Sequence, residues 1–122
     1  MIAYKLVRKA KDGQLYPLFI DKKRPYVIGE KREAEYVPTK GFAPRYGFHC
    51  CFTPVAPHLK MELANGEKRV WIECWVEDWQ KYDRPESQGG AWILANKLTV
   101  LRELHPIEVE QARERWEQRK GA

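Results

Sequence analysis

The sequence predicts an α+β domain, a small, mainly antiparallel twisted sheet with a C-terminal helix packed on it. Three observations predict it. Residues Arg69 to Glu77 alternate with a period of two, placing Val70, Ile72, Cys74 and Val76 on one face and Trp71, Glu73, Trp75 and Glu77 on the other. Two short β-type runs, Tyr4 to Ala10 and Gln14 to Ile20, flank Lys11-Asp12-Gly13, and Asp-Gly is a strong hairpin signal. From Pro106 onward the pattern turns helical, with Ile107, Val109, Ala112 and Trp116 as docking residues among charged neighbours.

The remaining elements follow in chain order. Pro17 lacks a ladder donor, so the second hairpin strand is expected at a sheet edge or at a bulge. Residues 21–24 form a polar turn, and Pro25 to Gly29 reads as a brief strand. Pro38, Gly41 and Pro44 exclude a long helix between Glu30 and Pro44. Gly47 to Phe52 reads as a short buried strand. Thr53 before Pro54 suits the cap of a turn or short helix, because proline at a first helical position loses no needed N–H. Asn65-Gly66 is a turn signal that would pair residues 59–64 with the strand at 69–77. Residues 78–90 carry no apolar period and are expected to be a long loop. Ala91 to Ala95 is a strand or buried turn, Leu98 to Leu104 is a strand, and the helix covers about 106–119, with early acids and a basic end that suit its dipole.

A chain of 122 residues fits one domain, 1–122, with one core. Apolar residues make up 43% and charged residues 32%, which is globular composition and argues against disorder. No apolar run is long enough for a membrane-spanning helix, and the first residues enter a strand pattern without a signal-peptide core. The expected location is therefore the cytoplasm, without membrane partners. Cys50, Cys51 and Cys74 are an odd count without an export signal, and the adjacent pair points to opposite sides of a strand. Reduced, partly buried thiols are expected.

The net charge of +5 is uneven. Residues 1–61 carry twelve Lys/Arg against five Asp/Glu, and residues 62–122 carry ten against twelve. The basic first half, with Tyr4, Tyr16, Tyr26 and Tyr46 interleaved, is one way to meet nucleic acid. A solvated basic face is the plainer reading.

Phosphate-binding glycine loops, His-Glu-x-x-His, paired Cys-x-x-Cys and Gly-x-Ser-x-Gly are all missing. His49, Cys50, Cys51, His58 and Cys74 match no common zinc spacing, so no metal site is expected. Two loops stand out as candidate binding elements. Around Arg45, Tyr46, His49 and His58, the guanidinium offers a donor fork for phosphate or carboxylate and Tyr46 offers a stacking ring. Around Arg84, Glu86, Ser87 and Gln88, an acid, a hydroxyl and an amide precede Gly89-Gly90, whose freedom would let backbone N–H groups meet a ligand. Trp71 and Trp75 form a third candidate, a face of indoles and carboxylates that suits the closing helix or a protein partner better than a phosphate backbone.

Gly47-Phe48-His49-Cys50-Cys51 followed by Pro54, the strand Val70 to Val76 and the late Val100-Leu101-Arg102-Glu103-Leu104 resemble small uncharacterised domains of phages and prophages. Cys51 stands at their usual cysteine position, and the 82–90 stretch departs from them. The resemblance implies an origin rather than a mechanism. A fainter similarity to ADP-ribosyltransferases would make Arg8 the holder of a nicotinamide dinucleotide, Tyr46 or Phe48 a ring contact and Glu86 the catalytic acid. Phe48 replaces a hydrogen-bonding tyrosine there, and a Ser-Thr-Ser element is missing. With no catalytic signature and five tryptophans, the leading expectation is a non-enzymatic accessory protein without a cofactor. Its partner is expected to be another protein or a second copy of the chain.

Overall fold

The computed structural model describes residues 1–18, 24–34, 47–59 and 67–120. Among them, β1 (Ile2–Lys9), β2 (Leu15–Tyr16), β3 (Lys31–Glu33), β4 (Phe48–Cys51), β5 (Lys68–Asp83) and β6 (Ala91–Glu103) form one antiparallel sheet, followed by α1 (Pro106–Lys120). This is the α+β architecture expected from the sequence. No helix among the described residues is long and apolar enough to cross a membrane.

The sheet closes on itself. β5 pairs with β1 from Lys68 to Trp75 and with β6 from Ile72 to Asp83. β4 then joins β6 through Phe48–Cys51 and reaches β1 at the pair Tyr4 and Cys51. The circuit β1–β5–β6–β4 removes most free edges, which a lone twisted sheet would expose. β2 extends β1, β3 pairs with β6, and a bridge between Leu15 and Tyr26 links the β2 and β3 ends.

Closure needs bends, and the chain supplies them at identifiable residues. The register shifts between Glu73 and Cys74: Glu73 faces Arg102 and Cys74 faces Val100, so Leu101 is left over and stands 38% exposed. Farther along, Asp78 takes a left-handed φ of 50°, a conformation that Asp tolerates better than bulky residues. Opposite it, β6 changes side: Ile93 and Ala95 are interior before Asn96-Lys97, Leu98 and Val100 after it. That change breaks the two-residue period, so the sequence shows two segments where the chain forms one strand.

Two apolar layers lie on either side of the sheet wall. The interior holds Ala3, Val7, Cys50, Ile72, Cys74, Val76, Ile93, Leu98 and Val100, all 0–1% exposed. The outer layer holds Leu6, Cys51, Trp71, Trp92 and Leu104, covered by Val109 of α1, by Ala56 and Leu59 after β4, and by Tyr82. Cys50 and Cys51 therefore point into different layers, as strand parity requires. All three cysteines are buried free thiols. Burial pushes Cys50 up to about 11 and raises Cys51 and Cys74 as well.

The helix starts on a reciprocal cap. His105 Nδ1 accepts the Ile107 N–H at 3.1 Å, and the Glu108 carboxylate accepts the His105 N–H at 3.2 Å. Arg102 of β6 grips the same carboxylate with two bonds of 2.8 Å. Val109, Ala112 and Trp116 follow each other at helical spacing on the covered side, Ala112 being 5% exposed. Ile107, expected to dock, is 59% exposed, because two residues from Val109 is more than half a turn away.

Other expectations are corrected. The hairpin forms, but among the described residues its second strand spans Leu15–Tyr16, since Pro17 ends the ladder; Phe19 and Ile20 lie outside the described residues. At Pro25 to Gly29 only Tyr26 bridges; the strand lies at Lys31–Glu33 instead. Buried Arg32 anchors it, donating to the Arg24 and Pro25 carbonyls and lying 4.3 Å over the Tyr26 ring. After β4, residues 53–59 form turns, with the Val55 N–H donating to the Thr53 carbonyl and the Leu59 N–H to the Ala56 carbonyl. The proposed partner strand at 59–64 lies, beyond Leu59, outside the described residues.

Candidate functional site

The end of the β5–β6 hairpin gathers most of the chemistry-bearing side chains. The long loop expected at 78–90 is strand over its first six residues: β5 runs to Asp83, and Arg84 to Gly90 make the connection, through a 3₁₀ turn at Glu86–Gln88. Gly89 and Gly90 have φ of 103° and 82°, which favour glycine. A Cβ at Gly90 would meet the Glu86 carboxylate at 3.2 Å, and one at Gly89 would meet the Trp92 indole nitrogen at 3.4 Å. These glycines do not aim N–H groups at a ligand. The N–H groups of Gln88, Gly89 and Gly90 donate to the Pro85, Glu86 and Pro85 carbonyls, so the turn consumes them.

Trp92 organises the site. It sits on β6 in register with Tyr82 of β5 and Cys51 of β4, and is 6% exposed. Its indole N–H donates to the Gln88 carbonyl at 2.7 Å, tying the 3₁₀ turn to the sheet. The Arg84 guanidinium lies 4.6 Å over its ring, and the His58 ring meets it edge-on at 5.9 Å between centroids. Tyr82 stands beside Arg84. Its hydroxyl is 2.8 Å from His49 Nδ1 and within hydrogen-bonding reach of the Arg84 side chain. The Tyr82 hydroxyl and His49 Nδ1 thus share one hydrogen bond, whose direction follows the imidazole tautomer. Burial raises the Tyr82 pKa, and the Arg84 charge opposes that rise. Partial burial, then the Arg84 charge, lowers the pKa of His58, which favours the neutral ring. Lys5 backs the arrangement by donating to the His49 carbonyl at 3.0 Å.

The structure thus brings together His49, His58, Arg84 and Gln88 from the two candidate loops, with Glu86 and Ser87 exposed on the adjoining turn. Arg45 and Tyr46 lie outside the described residues. Trp92 carried no functional signal, because an indole inside Ala91-Trp92-Ile93-Leu94-Ala95 reads as core, which in part it is. Arg8 and Glu86 are far apart: Arg8 pairs with Arg69 at the start of β5 and is held by Glu67 and Tyr16, whereas Glu86 follows the end of that strand. No group of three or more His, Cys, Asp or Glu side chains among the described residues is arranged to hold a metal ion.

The tryptophan face divides in two. Trp71, a candidate docking residue, is 2% exposed beneath the outer apolar layer and is inaccessible to a partner. Trp75 is 44% exposed beside Ile2, at 39%, and Thr99. Beyond the Asp78 bend, Trp79 is 40% exposed and meets the Phe52 ring edge-on at 6.1 Å. Comparisons with protein-family models, with curated proteins and with solved structures give no match to the chain.

Proposed function

We propose that the protein acts without catalysis, as a phage- or prophage-type accessory domain that binds another protein through its exposed indoles. One observation carries this reading: Trp75 and Trp79 remain 44% and 40% exposed in a chain that buries Trp71 and Trp92. Large aromatic rings kept in water are disproportionately the anchors of protein interfaces. Carboxylates at Glu73 and Glu77 flank Trp75 and are already engaged by Arg102 and Lys31. The surroundings are therefore polar but locally neutralised, as a rim of a protein interface is.

Charge distribution favours a protein over nucleic acid. The first half's basic excess is partly spent on acids of the second half: Lys9 meets Glu103 at 3.1 Å, Lys31 meets Glu77 at 2.8 Å and Arg8 meets Glu67. Such surface pairs add little stability, but they shield charge that phosphates would otherwise meet.

The test compares wild type with a Trp75→Ser/Trp79→Ser chain, by sedimentation velocity over a range of concentrations and by quantitative capture from the cell that carries the gene. An association weakened about 30-fold or more in the variant is expected for two interfacial tryptophans. An unchanged set of associations sinks the proposal. Titration with duplex and single-stranded nucleic acid at two salt concentrations separates the rival: salt-dependent binding would point to nucleic acid instead.

A further inference from the structure

We infer that Arg84, together with His58 and Tyr82, forms a binding site for an oxyanion, a phosphate or carboxylate group, on the Trp92 platform. Arg84 is half-buried over the indole ring, and none of the ion pairs among the described residues includes it. Arg102 by contrast is clamped by Glu108 and Glu73, Arg32 has Glu30, and Arg113 has Glu117. A guanidinium that loses part of its water to an aromatic face and gains no carboxylate among the described residues retains a demand for an anion.

The neighbours around the guanidinium are polar and carry no carboxylate. Tyr82 and His49 form a hydrogen-bonded pair next to the guanidinium, and His58 touches the same indole from the side. Neither imidazole carries a negative charge, and the nearest acid on the connecting turn, Glu86, lies against Gly90. The Arg84 backbone is held as well, its N–H donating to the Gly90 carbonyl at 2.9 Å, so the guanidinium springs from a fixed root. A guanidinium fork on a rigid indole, with a hydroxyl and an imidazole beside it, suits a flat or tetrahedral oxyanion. The turn's own N–H groups take no part, being consumed internally. This site is separate from the exposed indoles at 75 and 79 and does not depend on their function.

The experiment is an NMR titration of the full chain, watching the Trp92 indole N–H and the Arg84 side-chain N–H, at constant ionic strength balanced with chloride. Inorganic phosphate and acetate are the two probes, and they distinguish a phosphate from a carboxylate ligand. Saturable shifts of both signals with either probe are expected. Arg84→Gln is expected to weaken binding about tenfold or more, the loss of a charge-assisted hydrogen bond. Arg84→Lys keeps the charge without the fork and is expected to fall between, which preserves the test should the glutamine variant fold poorly. Trp75→Ser is expected to bind like wild type. The inference is overturned by shifts that remain linear and chloride-like with both probes. Equal affinity in wild type and in a folded Arg84 variant overturns it too.

Discussion

The two halves of β5 are one strand in two environments. From Lys68 to Trp75 it lies against β1, and from Ile72 against β6 too; Ile72, Cys74 and Val76 are 0–1% exposed. From Asp78 to Asp83 its partner among the described residues is β6 alone, and Trp79, Gln80 and Lys81 are exposed. The first half alternates in sequence and the second does not. Alternation reports that a strand's two faces meet different surroundings; it does not report that the chain is extended. The half that escapes the pattern is also the half that carries Tyr82 and leads to Arg84.

The comparison breaks most readily through stability. Ile72→Ala opens a cavity in the closed interior and is expected to cost about 2–5 kcal/mol. Gln80→Ala, in the other half of the same strand, is expected to change stability by no more than about 0.5 kcal/mol. Denaturant unfolding of both variants measures the contrast. Similar losses would mean that the second half is held as tightly as the first.

A smaller effect sharpens the description of the hairpin end. Gly90→Ala forces an L-residue to a φ of 82° and brings its Cβ to 3.2 Å from the Glu86 carboxylate. Gly13→Ala imposes a φ of 85° with nothing within 4 Å. Each is expected to cost about 1–2 kcal/mol from backbone strain. Only Gly90→Ala is expected to displace Glu86, and with it the Trp92 indole N–H resonance, through the turn that accepts that hydrogen bond at Gln88. An undisturbed Trp92 signal in the folded Gly90→Ala chain would show that the turn does not position the indole.

Much of the fold was legible where burial differs between faces. The Val70 to Val76 parity located the interior, Asp12-Gly13 located the first hairpin and Pro106 located the helix start. What was not legible has physical reasons. β6 reads as two pieces because its side changes at Asn96-Lys97, and β3 is hidden because its single inward residue is Arg32, a cation buried by stacking and carbonyl bonds rather than by apolarity. The candidate site was half legible. His49, His58, Arg84 and Gln88 stood out by residue type, but their convergence depends on a platform, Trp92, that looks like core. Glycines 89 and 90 signalled a special backbone correctly, and the purpose read into it was wrong.

The least of the expected effects separates the two halves by their charges. At the well-packed end, Arg102 reaches Glu73 of β5 at 3.3 Å and grips Glu108 of α1, joining strand to helix. Beyond the bend the corresponding contact is one exposed pair, Lys97 and Asp78, at 3.5 Å. The Arg102 guanidinium, then the His105 N–H, hold the Glu108 carboxyl down to about 2, against its ordinary 4.5. Folding therefore favours the ionised form. Glu108 contributes its stabilisation fully above pH 4.5, and the contribution disappears as pH falls through about 2. Glu108→Gln is thus expected to unfold earlier than wild type at neutral pH, with the gap closing between those two values. The other carboxylates titrate in both chains, so the difference between the two melting curves isolates Glu108. Asp78→Asn offers the matched control, since its pair lies at the longer distance and on the open half of the strand. At neutral pH it is expected to lower stability less than Glu108→Gln does, and a gap as wide as that of Glu108→Gln would mean that charge does not distinguish the halves.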